Sequence, residues 1–444
     1  MTECSIQLSF AGMVKGRSVV MDFTGGSLTS DAGLPFLRKV DDQLKLTERL
    51  SSCLRDGRDP VKVRHRVIDQ LRQRIYQISC GYSDANDADS LRSDPVLKVA
   101  VGREPETGCE LASQPTLSRF ENSVGRKELT RLNRQILSTY LCHRPCPSRV
   151  IVLDIDATDD PTHGQQELSF YHGFYKQHML HPLLCYDGET GDLLAATLRP
   201  GNVHAANGVV KMLKRIVRKI RKRWPWVAII IRADAGFSVP RLYRFCEQYS
   251  CGYVVGLITN AVLERLHAPL LMEAEELYSS SGNKVRLVGE VGYRAGSWKR
   301  YRRVIMKAEA MSQGTNRRFV VTNLKGDPKQ LYHFYIQRGQ AENWIKDLKN
   351  GLLADRLSCS RFLANSFRLL LHTAAYLLMH HLRRQLVGTA LATAQFDTIR
   401  LRLLKVGARV KQTCRKVWIH APSSFPYRPL WVILHHRLTQ PAPT

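Results

Sequence analysis

Hydrophobic residues recur at helical spacing along most of the first ~148 residues, with polar residues between them. The clearest run covers residues 61–80, where Arg and Lys separate the apolar side chains. A shorter run predicts a helix over 33–40, and a brief strand is predicted before it at 18–23. The pattern therefore predicts a mainly helical region at the start of the chain.

The run ASQPTLSRFEN, at residues 112–122, predicts a helix with short polar side chains near its start. Ser113 can cap it, Pro115 lies in the first turn, and Arg119 follows. The recognition helix of a helix-turn-helix presents groups of this kind to a DNA groove. An ordinary capped surface helix gives the same pattern, so both interpretations stay open.

From residue 149 the pattern changes to short apolar strands. VIVLDID is typical of a buried strand, and residues 178–201 predict two strands joined by a turn at DGETG. A helix over 206–223, the strand WVAIIIRAD, a helix over 239–249 and a strand over 252–258 follow. Three strands, then helix, strand, helix and strand, is the order of an RNase H-like α/β core.

Residues 259–330 alternate apolar and polar side chains, as half-exposed antiparallel strands do. After them a helix is predicted to open near Gln337 and to run past Lys349. The β-rich block therefore looks like an insertion before the last core helix. The sequence predicts five parts: a helical DNA-binding region at 1–148, the first part of the core at 149–258, the β-rich insertion at 259–330, the last part of the core at 331–388, and a basic C-terminal region at 389–444.

The net charge of the chain indicates what kind of molecule the protein binds. The chain has 66 Lys and Arg against 39 Asp and Glu, for a net charge of +27. The net charge is +5 over 1–149, +9 over 150–355 and +13 over 356–444, where Asp397 is the only acidic residue. A balance this basic indicates a polyanionic partner, and the concentration at one end favours an extended one over a small metabolite.

Other features disfavour secreted and membrane proteins. The start, MTECSIQLSF, lacks a basic segment followed by an apolar run, so we expect no signal peptide. The apolar stretch at 362–387 carries three arginines and three histidines, which predicts a buried helix. The 11 scattered cysteines suit reduced thiols in a cytoplasm. Cys142 and Cys146 flank His143, but no second ligand pair follows at zinc-finger spacing.

Three carboxylates occupy positions where α/β proteins build their sites. Asp156 ends the first core strand, Asp234 ends the fourth, and Glu342 lies on the late helix. The first and fourth strands of an RNase H-like core are adjacent, so Asp156 and Asp234 would converge. Converging carboxylates repel each other unless cations neutralise them, and oxygen ligands suit Mg²⁺ or Mn²⁺. Two ions ~4 Å apart can drive phosphodiester chemistry. Taken singly, each could be a helix cap or a solvated loop residue.

The segment YIQRGQAENWIKDLK carries the most specific motif, with Tyr335, Arg338, Glu342 and Lys349 in that spacing. It resembles the Tyr-Arg-Glu-Lys signature of bacterial insertion-sequence transposases of the DDE group, in the retroviral-integrase-like superfamily. DIDATDDPTHG and RADAGF resemble the first and second Asp motifs of that family. The resemblance extends from the helical start to the basic tail, and it includes the β-rich insertion.

The resemblance implies a metal-binding catalytic triad of Asp156, Asp234 and Glu342, holding two Mg²⁺ or Mn²⁺ ions. Asp154, two residues earlier on the same strand, is a rival for Asp156, which we prefer because it ends the strand. The implied chemistry is hydrolysis at the ends of the element. The freed 3′-OH then attacks the opposite strand to form a DNA hairpin, and later attacks target DNA. Family members act as dimers on paired ends in the bacterial cytoplasm.

Several residues are predicted to contact DNA, both at the terminal inverted repeats and at the target. In this family an aromatic residue holds a flipped base during hairpin formation, and Trp298 is our candidate, among Arg and Lys residues. Packing against the insertion sheet is the alternative for Trp298. The remaining candidates for DNA contact are Tyr335, Arg338, Lys349, Arg119, Arg300, Lys219 and Arg409.

Two other functions stay open on the sequence. A DNA-binding protein derived from a transposase could retain the fold after its site has decayed. A metal-dependent nuclease with an RNase H-like fold would need the carboxylates, but neither the Tyr-Arg-Glu-Lys motif nor the insertion.

Overall fold

The computed structural model describes residues 7–15, 17–147 and 149–440. The chain forms two compact units. Unit 1 consists of Met1–Ser123 with Leu378–Thr444, and unit 2 of Val124–Leu377. The five parts that the sequence predicts stay a prediction. The two compact units divide the chain differently, because residues from both ends of the chain contribute to unit 1.

The helices and strands follow in chain order. Residues up to 123 form β1 (Leu8–Val14), β2 (Arg17–Met21), β3 (Leu28–Thr29), α1 (Leu34–Leu44), α2 (Leu46–Ser51), α3 (Val67–Ser79), α4 (Ala88–Leu91), α5 (Pro95–Val101) and α6 (Gln114–Asn122). The next elements are α7 (Arg126–His143), β4 (Val150–Ala157), β5 (Asp160–Pro161), β6 (Phe170–His172), β7 (Gln177–Leu180), β8 (Leu183–Asp187), β9 (Leu193–Thr197), α8 (Val209–Arg223), β10 (Ala228–Ala233), α9 (Pro240–Gln248) and β11 (Gly252–Leu257). The rest are α10 (Ala261–Ser281), β12 (Val285–Tyr293), β13 (Arg302–Met311), β14 (Gly314–Thr322), α11 (Pro328–Ile336), α12 (Gly339–Lys346), α13 (Phe362–Arg384), α14 (Phe396–Ile399), β15 (Ala408–Gln412), β16 (Val417–His420) and α15 (Arg428–Thr439).

Helices dominate the first part of unit 1, as the sequence predicts. The helix predicted over 61–80 begins later, at Val67, because Asp59 caps a separate short 3₁₀ turn at Pro60–Lys62. The helix predicted after Ser113 is confirmed as α6. A buried ion pair joins α3 to α6, with Arg74 Nε 2.8 Å from Glu121 Oε1.

Within the described residues, the central sheet of unit 2 has eight strands in the order β12-β13-β14-β11-β10-β4-β8-β9. The five strands predicted for the core are β4, β8, β9, β10 and β11, and they lie side by side in the order three-two-one-four-five. β10 runs parallel to both β4 and β11, whereas β8 is antiparallel to β4 and β9 is antiparallel to β8. The fold is therefore mixed α/β around a large central sheet.

The strands of the β-rich block extend this same sheet. β14 pairs antiparallel with β11, and β13 and β12 follow outward. Helix α10, which the sequence pattern did not predict, lies against β12 and β13. Both faces of the sheet are covered: Tyr253 and Val255 of β11 belong to the larger buried cluster, and Val254 belongs to a second cluster with Tyr332 and Tyr335.

The ends of the parallel strands define two edges of the sheet. We call the edge where β4, β10 and β11 end the carboxyl edge, and the edge where they begin the amino edge. Because Ala157 pairs with Leu183, the segment 158–182 lies at the carboxyl edge. Thr322 pairs with both Arg303 and Val254, close to the start of β11, so the β12–β13 connection lies at the amino edge.

The long apolar stretch forms helix α13, Phe362–Arg384. In the described part of the chain it is the one helix long and apolar enough to cross a membrane, but 83% of its apolar window is buried inside the protein. Such burial is typical of the core helix of a globular protein.

Candidate active site

Two of the three predicted carboxylates lie side by side at the carboxyl edge. Ala233 pairs with Ile155 across the parallel strands β10 and β4, and Asp234 and Asp156 are the next residues. Asp234 caps a short 3₁₀ turn, and its Oδ1 accepts a hydrogen bond of 2.9 Å from the Gly236 amide. Neighbouring parallel strands lie ~4.8 Å apart, so the two carboxylates face one small volume.

Asp154 has a different role from Asp156. Its two oxygens accept hydrogen bonds from Arg232 Nε and Nη2, at 2.6 and 2.7 Å. Both side chains are buried, and Arg232 also donates to the Phe334 carbonyl oxygen at 2.8 Å. Burial raises the pKa of Asp154 while Arg232 opposes that rise. With both oxygens engaged, Asp154 is a structural residue, which supports the choice of Asp156 as the ligand.

The surroundings of Asp156 disfavour its ionised form. Its Oδ1 accepts a hydrogen bond of 2.8 Å from the Ala157 amide, and its Oδ2 lies 3.1 Å from Arg338 Nη1. Burial, followed by the negative charge of Asp234, raises the pKa of Asp156 to about 7, although Arg338 acts in the opposite direction. Like charges this close are typical of sites that bind a cation.

Glu342 joins this group through the same arginine. Arg338 Nη2 lies 3.5 Å from Glu342 Oε1, one helical turn further along α12. The Glu342 side chain is 58% exposed, so it can change rotamer without disturbing a core. Arg338 thus connects the first and third members of the predicted triad.

The predicted late helix is present, and a separate short helix precedes it. Tyr335 lies on α11, the chain turns at Gln337–Arg338, and α12 carries Glu342. A π-helical turn at Asp347–Gly351 then carries Lys349. Such turns often lie at functional sites. The helix predicted to open near Gln337 and to run past Lys349 is therefore confirmed as α12 with its π-helical turn, while Tyr335 lies on the separate helix α11.

Tyr335 and Lys349 are both held in place by unit 2. Tyr335 is 5% exposed, and a Cβ on Gly256 would lie 2.6 Å from its hydroxyl oxygen. Lys349 Nζ lies 2.7 Å from Asp159 Oδ1. Burial of Asp159 is outweighed by Lys349, and the pKa of Asp159 is lowered. The structure therefore shows Tyr335 packed beside Gly256, and Lys349 in an ion pair with Asp159, three residues after Asp156.

The oxygen atoms of Asp156, Asp234 and Glu342 are suitable ligands for a divalent cation. Three carboxylates offer only oxygen ligands, which Mg²⁺ and Mn²⁺ prefer. Burial first, and then the negative charge of Asp234, raises the pKa of Asp156 despite Arg338. As they stand, no three Asp, Glu, His or Cys side chains in the described part of the chain are grouped closely enough to hold a metal.

Trp298 is enclosed at the amino edge, away from the carboxylates. It is 6% exposed, and its ring lies 5.4 Å from both Tyr243 and Tyr293. The Arg302 guanidinium covers it at 5.3 Å. The structure therefore corrects the hypothesis of base stacking: Trp298 has the packing role that the sequence left as its alternative.

Trp298→Ala is expected to lower the free energy of unfolding by about 3–5 kcal/mol, because it leaves a cavity in a packed core. Thermal unfolding checks this value. Trp226→Ala is the control, because Trp226 is 61% exposed and its loss should change stability by less than about 0.5 kcal/mol. Per folded molecule, the ratio of DNA-hairpin formation to nicking should stay at its wild-type value. A selective loss of hairpin formation would restore the stacking role.

The other predicted DNA contacts lie on the surface. Arg119 on α6 and Lys219 on α8 are exposed, as is Arg409 on β15. Arg300 lies at the amino edge in an ion pair with Glu247. None of these four is grouped with the carboxylates among the contacts of the described residues, so each stays a prediction for DNA bound elsewhere on its unit.

The comparisons with known proteins identify the family. The family described as "Transposase DDE domain group 1" matches residues 11–443, nearly the whole chain. The chain belongs to this DDE transposase family. It is a DNA transposase, and divalent metal ions are general in the family.

Among solved structures, this DDE transposase resembles the piggyBac transposase in a synaptic complex with hairpin DNA. The two share 12% sequence identity with a TM-score of 0.43, over 94% of this chain and 83% of the other. No protein with curated function is significantly similar to it in sequence.

The sequence pattern did not predict which residues contact Asp154 and Tyr335 in the transposase site. Arg232 stands in the apolar strand WVAIIIRAD, and a charge in a buried strand signals a buried partner. That signal could have assigned Asp154 to Arg232. The contact of Gly256 with Tyr335 had no comparable sequence signal.

Proposed function

We propose that this transposase moves an insertion sequence by cut-and-paste transposition, with Asp156, Asp234 and Glu342 as its metal ligands. The observation that carries the proposal is the placement of Asp156 and Asp234 at adjacent ends of β4 and β10, with Arg338 linking Asp156 to Glu342. The strand order three-two-one-four-five supports an RNase H-like core. Mg²⁺ or Mn²⁺, as two ions, fits the oxygen donors.

A divalent metal held by Asp156, Asp234 and Glu342 would supply activation of the attacking oxygen and stabilisation of the leaving oxygen. At the end of the element, water attacks the phosphorus, the bond to the 3′-oxygen breaks, and that oxygen takes up a proton to give a 3′-OH. The same 3′-OH next loses its proton and attacks a phosphorus of the opposite strand, and the 3′-oxygen of the flanking DNA leaves as a 3′-OH, which gives a DNA hairpin. Water then attacks that phosphorus and releases the 3′-OH again. In target DNA the 3′-oxygen bonds to a phosphorus and displaces a 3′-oxygen of the target strand, which takes up the proton.

Arg338 and Lys349 supply positive charge during these steps. Arg338 can transfer a hydrogen bond from Asp156 to a phosphate oxygen once a cation neutralises that carboxylate, because its planar guanidinium suits phosphate as well as carboxylate. Lys349 positions Asp159 next to the site. Tyr335 lies beside Gly256, whose backbone also adjoins Asp234 and Ala235, and we assign it to positioning that turn.

The remaining parts of the proposal concern DNA and assembly. Exposed Arg119, Lys219 and Arg409 are assigned to phosphate contacts along the inverted repeats and target. The transposase acts as a homodimer on paired ends in the bacterial cytoplasm. These assignments rest on the resemblance of the motifs and on the strongly basic charge of +27.

A change of metal preference tests the ligand set. Asp234→Cys should lose cleavage of element ends in Mg²⁺ and recover at least about tenfold in Mn²⁺, because a thiolate ligand disfavours the harder ion. Cleavage is measured on labelled end duplexes. Asp159→Cys is the control: it lies next to the site but should show no recovery that depends on Mn²⁺. Equal activities of Asp234→Cys in both metals would contradict the assignment, and an inactive wild type would indicate a decayed site.

A further inference from the structure

A small β-hairpin at the carboxyl edge exposes several aromatic rings. It consists of β6 and β7 with their connection, residues 170–180, and we call it the aromatic β-hairpin. Phe174 is 82% exposed, Tyr171 is 56% exposed and Phe170 is 40% exposed. Large aromatic rings are normally among the side chains that folding buries, so three exposed rings within five residues indicate a ligand.

The inner side of the aromatic β-hairpin lies against the candidate active site. Gln177 Nε2 donates a hydrogen bond of 2.9 Å to Asp159 Oδ2, and Asp159 also pairs with Lys349. Burial, together with the negative charges of Asp159, Asp156 and Asp234, raises the pKa of Tyr175 to about 12. Tyr175 therefore faces the carboxylates, while Phe174 next to it faces solvent.

The exposed rings are not what holds the aromatic β-hairpin together. Its inner rings pack among themselves: His172 lies 5.1 Å from both Tyr175 and His181. β7 is also hydrogen-bonded to β5, at Asp160–Pro161. These contacts hold the aromatic β-hairpin from its inner side. Phe174 adds one edge-on contact to Tyr175, with the ring centroids 5.1 Å apart.

We propose that Phe174 and Tyr171 stack on an unpaired base of the DNA strand that enters the site. This rests on the proposed function of the Asp156 site. Flat aromatic rings accept any base, and the exposed Lys176 beside Phe174 can contact a neighbouring phosphate. DNA is the substrate of a transposase, and the aromatic β-hairpin lies on the same edge of the sheet as the carboxylates. Trp226, by contrast, precedes β10 at the amino edge.

Binding to two matched probes tests the proposal without cleavage. The probes are a duplex with one unpaired thymine and the fully paired duplex of the same sequence, both in EDTA. The wild-type transposase should prefer the first probe, and Phe174→Ala should reduce that preference by about 5- to 150-fold, the range expected for one lost stacking contact. Tyr171→Ala should reduce it in the same direction, whereas Trp226→Ala should leave it unchanged.

A second measurement locates the base. With 5-iodouracil in place of the unpaired thymine, irradiation should crosslink it to the peptide that contains Tyr171 and Phe174. Unchanged preference in both hairpin variants, or a crosslink elsewhere, would overturn the proposal. So would variants that keep the preference but lose self-association, since the rings would then bind protein. None of these readouts depends on metal or cleavage, so the proposal can fail while the triad stands, and the triad can fail while stacking remains.

Discussion

Alanine at Asp156, Asp234 or Glu342 is expected to abolish cleavage of element ends while leaving binding to those ends detectable. Each substitution removes one oxygen ligand, and metal-assisted stabilisation of the transition state contributes several kcal/mol. The expected loss in rate is therefore on the order of 10³-fold or more. Gel analysis of labelled end duplexes measures cleavage, and a mobility-shift titration measures binding.

Folding must be separated from catalysis in this experiment. Glu275→Ala is the matched control for Glu342→Ala, because Glu275 is an exposed helical glutamate on α10. Asp156→Ala should fold at least as well as the wild type, because it removes a buried charge that Asp234 and Glu342 repel. Substantial cleavage by any one of the alanine variants would remove that residue from the triad.

Asp154→Asn is expected to lower the free energy of unfolding by about 3–5 kcal/mol, because it leaves the buried charge of Arg232 without its carboxylate. The carboxylate makes two hydrogen bonds to Arg232, and an amide can accept only one of them. Denaturant titration followed by tryptophan fluorescence gives the shift.

Two further variants make this result decisive. Asp156→Asn, two residues along the same strand, should keep its stability and lose cleavage. Asp154→Asn should instead lose stability and keep cleavage per folded molecule. Replacing the pair together, by Asp154→Leu with Arg232→Met, should recover most of the lost stability. A stable but inactive Asp154→Asn protein would make Asp154 the ligand instead.

The period of the apolar residues was sufficient to predict the parts of the core that depend on local pattern. It placed β4 and β10, and with them the strand ends where Asp156 and Asp234 lie. It could not distinguish Asp154 from Asp156 by environment, since that choice depends on Arg232, far away in sequence. Spacing correctly predicted the helix from near Gln337 past Lys349, but helical periodicity did not reveal its π-helical turn at Asp347–Gly351.

Long-range pairing explains the other differences. Trp298 was expected to contact DNA. The antiparallel pairing of β13 with β14 instead puts residues 294–301 at the amino edge, where Trp298 packs against Tyr243 and Tyr293. The aromatic β-hairpin was missed because its strands are too short to show alternation. In each case the sequence shows which residue types are present. Their positions in the fold depend on the pairing register of strands that are far apart in sequence.

The composition of unit 1 sets an order for synthesis of the protein. Strand β3, near the start of the chain, pairs with β15, and the Ala32 amide donates to the Val406 carbonyl oxygen at 3.0 Å. Gly33 lies so close to Leu403 that a side chain there would collide with its backbone. A ribosome must therefore finish almost the whole polypeptide before unit 1 can close, although every residue of unit 2 has by then been made. Prematurely terminated chains would carry the carboxylates without a completed first unit.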